Sequence, residues 1–410
     1  MSLNKVTAEP PSPRPVSDHA KFDLLVVLLA MLTAFGPLSI DMYLPAFNDI
    51  AATYQTDSRG VELSLTAFFL GLFVGQLLYG TVSDRFGRKP PLYVGLVIYI
   101  ASSLACAYAP NLNMLILLRF LQAIGACAGL VIARAMVRDL YTPQASAKVF
   151  SFLILVMGVA PILAPLMGAY ITQSFGWEAI FVIVAALGVA CMLTVRWVLP
   201  ETRQPDRAVR VSKSFSTYAS VLRDPSFLRY SLTGGIAQAG LFAYITASPL
   251  LFIDHFGLSP EHYSWLFGVN AIGIIGMAQV NGWLVGRFSA RKILNHSLPV
   301  LALVSVFALV CGALSASFWW VLVPIFLYIS TLGCVFPNSM AGALAEQAHR
   351  AGAASAVTGS LQFLIAGIVS AGVNWVGQYH THAMLIVMAA CGLSSVSIYR
   401  LLRRPEPVAA

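Results

Sequence analysis

Twelve runs of about 20 apolar residues succeed one another along this 410-residue chain, and nothing else in it constrains the fold so strongly. They lie near 22–45, 60–81, 91–109, 112–133, 147–173, 177–199, 226–253, 262–286, 293–314, 317–340, 351–377 and 381–401. Each is long enough to cross the hydrocarbon core of a bilayer. Lipid offers the backbone no hydrogen-bond partner, so each run has to close its bonds internally as a helix. The spans take about 275 residues and leave about 135 for tails and loops, too few for a sizeable soluble domain. The fold expected is an all-α membrane protein with twelve transmembrane helices.

Composition agrees. Only 10% of residues are charged and 58% are hydrophobic, with a mean hydropathy of +0.78. A soluble domain carries about 25% charged residues. An ordinary soluble enzyme, a nucleic-acid-binding domain and a disordered chain are excluded, and the net charge of +8 is a matter of topology. With the N-terminus placed in the cytoplasm, Arg59 alone of the 25 Lys and Arg falls outside and Arg119 falls within a span, leaving 23 on the inner side. That is a positive-inside pattern with both ends cytoplasmic. The longest polar stretch, 200–225, separates a half at 22–199 from a half at 226–402. Residues 1–21, rich in proline, read as a disordered tail, and 403–410 as a second tail. Cys106, Cys127, Cys191, Cys311, Cys334 and Cys391 all fall inside spans with no metal or disulfide spacing, which suggests buried free thiols.

A faint repeat links the halves. Gly80-Thr-Val-Ser-Asp84-Arg85-Phe86-Gly87-Arg88-Lys89 follows span two, and Gly282-Trp-Leu-Val-Gly286-Arg287-Phe288-Ser289-Ala290-Arg291-Lys292 follows span eight. The first of these, with twelve spans and a central loop, resembles the major facilitator superfamily, whose loop between spans two and three carries G-x-x-x-D-R-x-G-R-K. Arg119-Phe-Leu-Gln122-Ala-Ile-Gly125 is similar to that superfamily's span-four motif. Span five, Ala160-Pro161-Ile-Leu-Ala164-Pro165-Leu-Met-Gly168-Ala169, is similar to the drug/proton antiporter motif, keeping Pro165 and Gly168 while alanines replace three glycines. Pro37-Leu-Ser-Ile-Asp41-Met-Tyr43-Leu-Pro45 at the close of span one looks like the bicyclomycin-resistance branch of those antiporters. The resemblance implies two pseudo-symmetric six-helix halves in a bacterial inner membrane, working as a monomer. It also implies export of small amphipathic drugs driven by proton entry, with no cofactor beyond the coupling proton.

Among the residues, Asp41 is the sharpest. It lies about 19 residues, or about 28 Å, into span one, where a carboxylate costs on the order of 3 kcal/mol. Arg119 lies about 10 Å from the outer end of span four, so the two depths agree within about 4 Å. Either they form a switchable pair coupled to protons, or they are a static lock between spans one and four. Asp84 at the inner interface, with Arg85 and Arg88 beside it, is expected to cap the start of span eleven and meet Arg134 or Arg138, closing the inner side in one state. Positive-inside anchoring is the plainer account of the basic residues there. Tyr43, Phe68, Gln122, Gln238, Tyr244, Asn270, Asn338 and Gln362 are candidate pocket-lining residues, although aromatic packing and polar helix–helix glue explain the same residue types. Pro161, Pro165 and Gly168 carry the antiporter motif. Gly71-x-x-x-Gly75 and Gly125-x-x-x-Gly129 read as close helix contacts.

Other chemistry is thin. No P-loop, no nucleophile–base constellation and no metal-ligand spacing is legible, so an enzyme and an ATP-driven pump are disfavoured. Against the exporter reading stand a symporter or facilitator for one metabolite, and a membrane receptor or scaffold that moves nothing. Its expected partners are drugs and the lipid bilayer, with no nucleic acid.

Overall fold

The helix boundaries are set by local chemistry the sequence carries openly. Asp57, Asn111, Asp224 and Ser259 each cap the helix that follows with a side-chain oxygen accepting a backbone N–H, for instance Gly60 N at 3.0 Å and Met114 N at 2.9 Å. Gly87 and Gly176, at φ of 87° and 85°, end spans two and five in a conformation other residues rarely adopt. This computed structural model describes residues 24–205, 211–314, 317–345, 347, 350–378 and 382–402. The tails expected at 1–21 and 403–410 lie outside the described residues.

Among the described residues, twelve apolar helices are long enough to span a membrane. Span one is Leu24–Asp41, continued by a short turn of helix at Leu44–Ala46 and by Phe47–Thr53. Spans two to six are Ser58–Phe86, Lys89–Ala107, Leu112–Leu140, Pro143–Phe175 and Glu178–Val198. Span seven is Pro225–Pro249 with a π-helical turn at Leu250–His255. Spans eight to twelve are Pro260–Val285, Ala290–Ala313, Phe318–Ala345, Ala351–Gly377 and Ala383–Leu401. The six cysteines are buried and free. The glycine pairs of spans two and four make the close contacts expected: a Cβ at Gly71 would meet the Phe120 carbonyl, one at Gly125 the Tyr99 backbone, and one at Gly129 the Leu32 carbonyl.

The stretch expected as a plain polar linker holds a helix, Val211–Leu222, between spans six and seven. Tyr218 and Val221 of this helix join a small core with Phe227, Ala343, Ala354 and Val357, and the Tyr218 hydroxyl bonds Thr81 at 3.0 Å. The end of the bundle bearing this helix is the linker face, and the opposite end is the far face.

The halves meet along two antiparallel seams. In one, span two runs against span eleven: Glu62 faces Asn374, Thr66 faces Ser370, Leu70 packs over Gly367, and Gln76 over Gly359. In the other, span five runs against span eight, with Ile275 over Gly158 and Ile162 beside Gly268. Spans two and five of one half thus meet their repeat counterparts, eleven and eight, crosswise. Between the halves a cavity of about 720 Å³ reaches from Thr33, midway along span one, to Asp84 and Arg138 at the linker face.

Candidate transport site

The end of span one is where chain chemistry breaks a helix inside an apolar bundle. Pro37 removes one backbone donor, and the helix stops at Asp41. Pro45 then starts the short turn that follows. Span five lies directly against the break: a Cβ on Gly168 would collide with the Met42 carbonyl. The glycine of the antiporter motif is therefore what admits the backbone next to Asp41. Pro161 and Pro165 sit within the same helix, about two turns and one turn before the contact. Asp41 is buried, 4% exposed, with no hydrogen-bond or ion-pair partner among the described residues. The hydroxyl-bearing side chains within electrostatic reach of it are Tyr244 and Tyr263, from the other half.

Arg119 is not its partner. The three ion pairs among the described residues all lie at the linker face, and Arg119 makes none. It is fully buried in the first half, with Nη1 donating to Gln122 Oε1 at 2.6 Å, and Gln122 in turn donating to Ser103 at 2.8 Å. The guanidinium lies over the rings of Tyr43 and Phe68 at 4.5 and 4.4 Å, with Phe181 at 5.7 Å. Desolvated cation–π contacts of this kind are worth about 2 kcal/mol. Its Nε and Nη2 have no partner. The side chains of Asp41 and Arg119 point apart: Arg119 inward to spans two, three and six, Asp41 toward the second half. In this state the switchable pair is not made, and Tyr43, two residues beyond Asp41, is the contact that joins the two neighbourhoods.

Of the eight candidate pocket residues, only Gln238 and Gln362 line the cavity. Tyr43, Phe68 and Gln122 are sealed around Arg119. Tyr244 and Asn270 bond each other at 3.0 Å within the second half, where Tyr244 stacks on Phe267. Asn338 donates to Asn281 at 2.5 Å and to the Cys334 carbonyl, which is the role of polar glue between spans eight and ten. The walls are instead supplied by Gln76, Phe150, Met157, Phe336, Met340 and Phe363. Nothing in the sequence marks these apart from other apolar span residues, because which face of a helix meets a cavity is decided by its neighbours. The Oε1 of Gln238 has no partner.

At the linker face, among the described residues, Asp84 does not meet Arg134 or Arg138 and makes no hydrogen bond to the start of span eleven. Arg88 holds it at 2.8 Å and Arg203 at 3.1 Å. Arg88 is the buried centre of this cluster, also bonded to Asp139 at 2.8 Å and to Ser83 at 3.0 Å. Surface anchoring therefore does not account for it. Glu201 closes the cluster by accepting the backbone N–H groups of Arg88 and Lys89. Arg134 and Arg138 line the cavity, and Arg85 lies over the Phe86 ring away from it.

The far face is shut by bonds between the halves. Asp254 accepts from Asn48 at 2.7 Å and from Ser58 at 2.9 Å. Asn374 donates to the Arg59 carbonyl at 2.7 Å and to Glu62 Oε2 at 2.9 Å. Glu62 is a second intramembrane acid that the sequence reading passed over. It is 1% exposed, and its Oε1 has no partner. Its position two residues inside the expected start of span two looks like an interfacial flank; its four-turn continuation of apolar residues was the available signal.

Two six-helix halves around a cavity open at one end and bonded shut at the other define a membrane protein built for alternating access. The model of the Major Facilitator Superfamily matches residues 29–371, and the chain belongs to that family. Over 378 residues it is 30% identical to the multidrug resistance protein D of Escherichia coli, covering 90% of this chain and 93% of that one. It is 28% identical over 378 residues to a bicyclomycin resistance protein homolog of Haemophilus influenzae, covering 92% and 95%. A crystal structure of a D-xylose–proton symporter superposes with a TM-score of 0.72 at 15% identity, covering 92% of this chain and 96% of that one, which establishes the shared fold.

Proposed function

We propose that this protein expels small amphipathic drugs from the cytoplasm in exchange for protons, by alternating access between its two halves. The observation that carries the reading is a cavity of about 720 Å³ walled by both halves, with Asp41 buried beyond its closed end. Aromatic, methionine and glutamine walls suit varied lipophilic cargo, because such a surface re-packs where a hydrogen-bond array selects. The drug-resistance names of the two relatives support the cargo class. Arg134 and Arg138 on the wall favour neutral, zwitterionic or anionic cargo over cations.

The linker face is taken as cytoplasmic from the distribution of Lys and Arg, which puts both termini inside and the bacterial inner membrane around a monomer. The cavity then faces inward and the bonds at Asp254 and Asn374 close the outside. Asp41 carries the coupling proton. Unpaired among apolar neighbours, its ionised form costs on the order of 3 kcal/mol, and this is relieved when the outer side opens and water reaches it. Arg119, locked to Gln122 and the rings, sets the shape around Tyr43. The Asp84–Arg88–Asp139 cluster fixes the ends of spans two to four as one block, and Arg134 and Arg138 become partners available to the second half when the inner side closes.

A drug-susceptibility panel in cells lacking other pumps, with liposome flux under an imposed pH gradient, tests the reading. The parent is expected to confer resistance and drug-dependent proton flux, and Asp41→Asn neither, at equal expression. No drug flux from the parent, or an Asp41→Asn protein equal to it, refutes proton-coupled export.

A further inference from the structure

A polar group left unbonded inside an apolar bundle is costly, so it points to something that bonds it. Three carboxamides stand on the wall of the central cavity: Gln76 from span two, Gln238 from span seven and Gln362 from span eleven. None of the three makes a hydrogen bond among the described residues, and the Oε1 of Gln238 is buried without a partner. Gln76 is only 6% exposed, so these are not plain surface amides. Hydroxyls on the same wall behave differently. Thr33 donates to the Ala30 carbonyl at 2.7 Å and Thr358 to the Ala354 carbonyl at 2.9 Å. Each hydroxyl is satisfied by its own helix, and each amide is not.

Two glycines bring the three together. The amide of Gln76 lies flat on Gly359 of span eleven, with Cδ, Oε1 and Nε2 all 3.1 Å from where a Cβ would stand. An amide donates and accepts within its own plane, so this stacking leaves its bonding edge free. Gln362 follows Gly359 by one helical turn, and its Cα lies 3.9 Å from where a Cβ on Gly235 of span seven would stand. Gln238 follows Gly235 by one turn in the same way, and residues three apart share a helix face. One glutamine of the first half and two of the second therefore gather at one junction of the halves. The one carboxylate lining the cavity, Asp84, is already held by Arg88 and Arg203.

Water serves these amides while the cavity is empty. A purely hydrocarbon cargo displaces that water and returns no bond, which strands the carboxamides. A cargo with a neutral donor and acceptor of its own restores the bonds. We propose that Gln76, Gln238 and Gln362 form a subsite that selects cargo bearing a carboxamide or lactam group. This rests on the export reading and narrows its cargo: the apolar walls let the body of the drug vary, and the amides require one group within it. An amide answers both the oxygen and the NH2 of each glutamine. An ammonium group would use the oxygens alone and find no free carboxylate to neutralise it. A group bound here touches both halves at once.

Benzanilide, phenyl benzoate and trans-stilbene share a two-ring shape and carry at the bridge, in turn, a donor with an acceptor, an acceptor alone, and neither. Saturable binding of the three tritiated probes to the detergent-purified full chain, with no pH gradient, provides the test. After correction for partition into detergent, the parent is expected to hold benzanilide tightest and stilbene weakest. Gln76→Leu, Gln238→Leu and Gln362→Leu are each expected to lower the benzanilide-to-stilbene ratio about fivefold, the equivalent of one lost hydrogen bond. An unchanged ratio in all three variants overturns the subsite, since glutamines that only join helices would leave the preference intact. Should the variants not fold, the parent decides: the ordered series supports the subsite, and benzanilide bound no better than stilbene, or not at all, overturns it. Binding without a gradient does not depend on proton coupling. A parent that exports drugs under a gradient yet shows no amide preference loses the subsite and keeps the export reading.

Discussion

Replacing Asn374 by alanine removes the polar clasp of the far face without touching the cavity. The amide makes two bonds across the seam between the halves, to the Arg59 carbonyl at 2.7 Å and to Glu62 at 2.9 Å. Each buried hydrogen bond contributes about 1 kcal/mol net, and a buried polar group left without its partner costs about 1–3 kcal/mol. Glu62 has no other partner for either oxygen, so alanine also strands a buried acid. A loss of about 2–3 kcal/mol from the far-closed state is expected, and it is recovered when the seam parts and water solvates the carboxyl. That shifts the ratio of far-open to far-closed molecules by about 30- to 150-fold. Spin labels on cysteines introduced at Tyr108 and Leu314, exposed far-face positions in opposite halves, report the separation by pulsed electron resonance. The six native cysteines are buried and leave the label to the added sites. Asn374→Ala is expected to populate a longer distance, and Glu62→Gln, which removes the charge but keeps an acceptor, to hold the shorter one. Unchanged distance distributions in Asn374→Ala would show that the packing of spans two and eleven, rather than this clasp, closes the far face.

Arg88→Ala is expected to destabilise the protein by about 1–3 kcal/mol, because it removes the buried centre of the cluster and leaves Asp139 only the Thr202 hydroxyl, while half-exposed Asp84 keeps Arg203. Arg85→Ala, a half-buried side chain over Phe86, changes stability by less than about 0.5 kcal/mol, and melting of both in detergent checks the contrast. His382 lies just before span twelve, 6% exposed, and burial, with the nearby His255 second, holds its pKa below the usual 6.5. Its folded value being the lower one, the unfolded chain takes up the proton first. The stability associated with neutral His382 is complete above about pH 6.5 and is lost as the pH falls through the folded value. Melting midpoints between pH 8 and pH 5 are expected to fall less in His382→Asn than in the parent, and parallel curves refute the assignment.

The periodicity-free apolar runs placed every span, because twenty-residue hydrophobicity is a property of a segment alone. The same local character made the small-residue contacts at Gly71, Gly125 and Gly129 legible. The direction each side chain faces was not, since it depends on how span one breaks at Asp41 and where Gly168 lets span five approach. Hence Tyr43, Phe68 and Gln122, polar or aromatic at plausible depths, turned out to wrap Arg119, while Phe336 and Met340 wall the cavity. The linker helix at Val211–Leu222 was hidden for a related reason: a short amphipathic helix forms only against the surface that buries its apolar side.

From the sequence alone came the membrane, the twelve helices, the doubled architecture and the acids and arginines too costly to bury without purpose. Those follow from transfer free energies, which add residue by residue. Tertiary structure alone decided that Asp41 stands unpaired, that Arg88 rather than Arg134 grips Asp84, and that Asn374 secures Glu62. Pairing needs two side chains at one place and one angle, and the angle is fixed only when helices distant in the chain settle against each other.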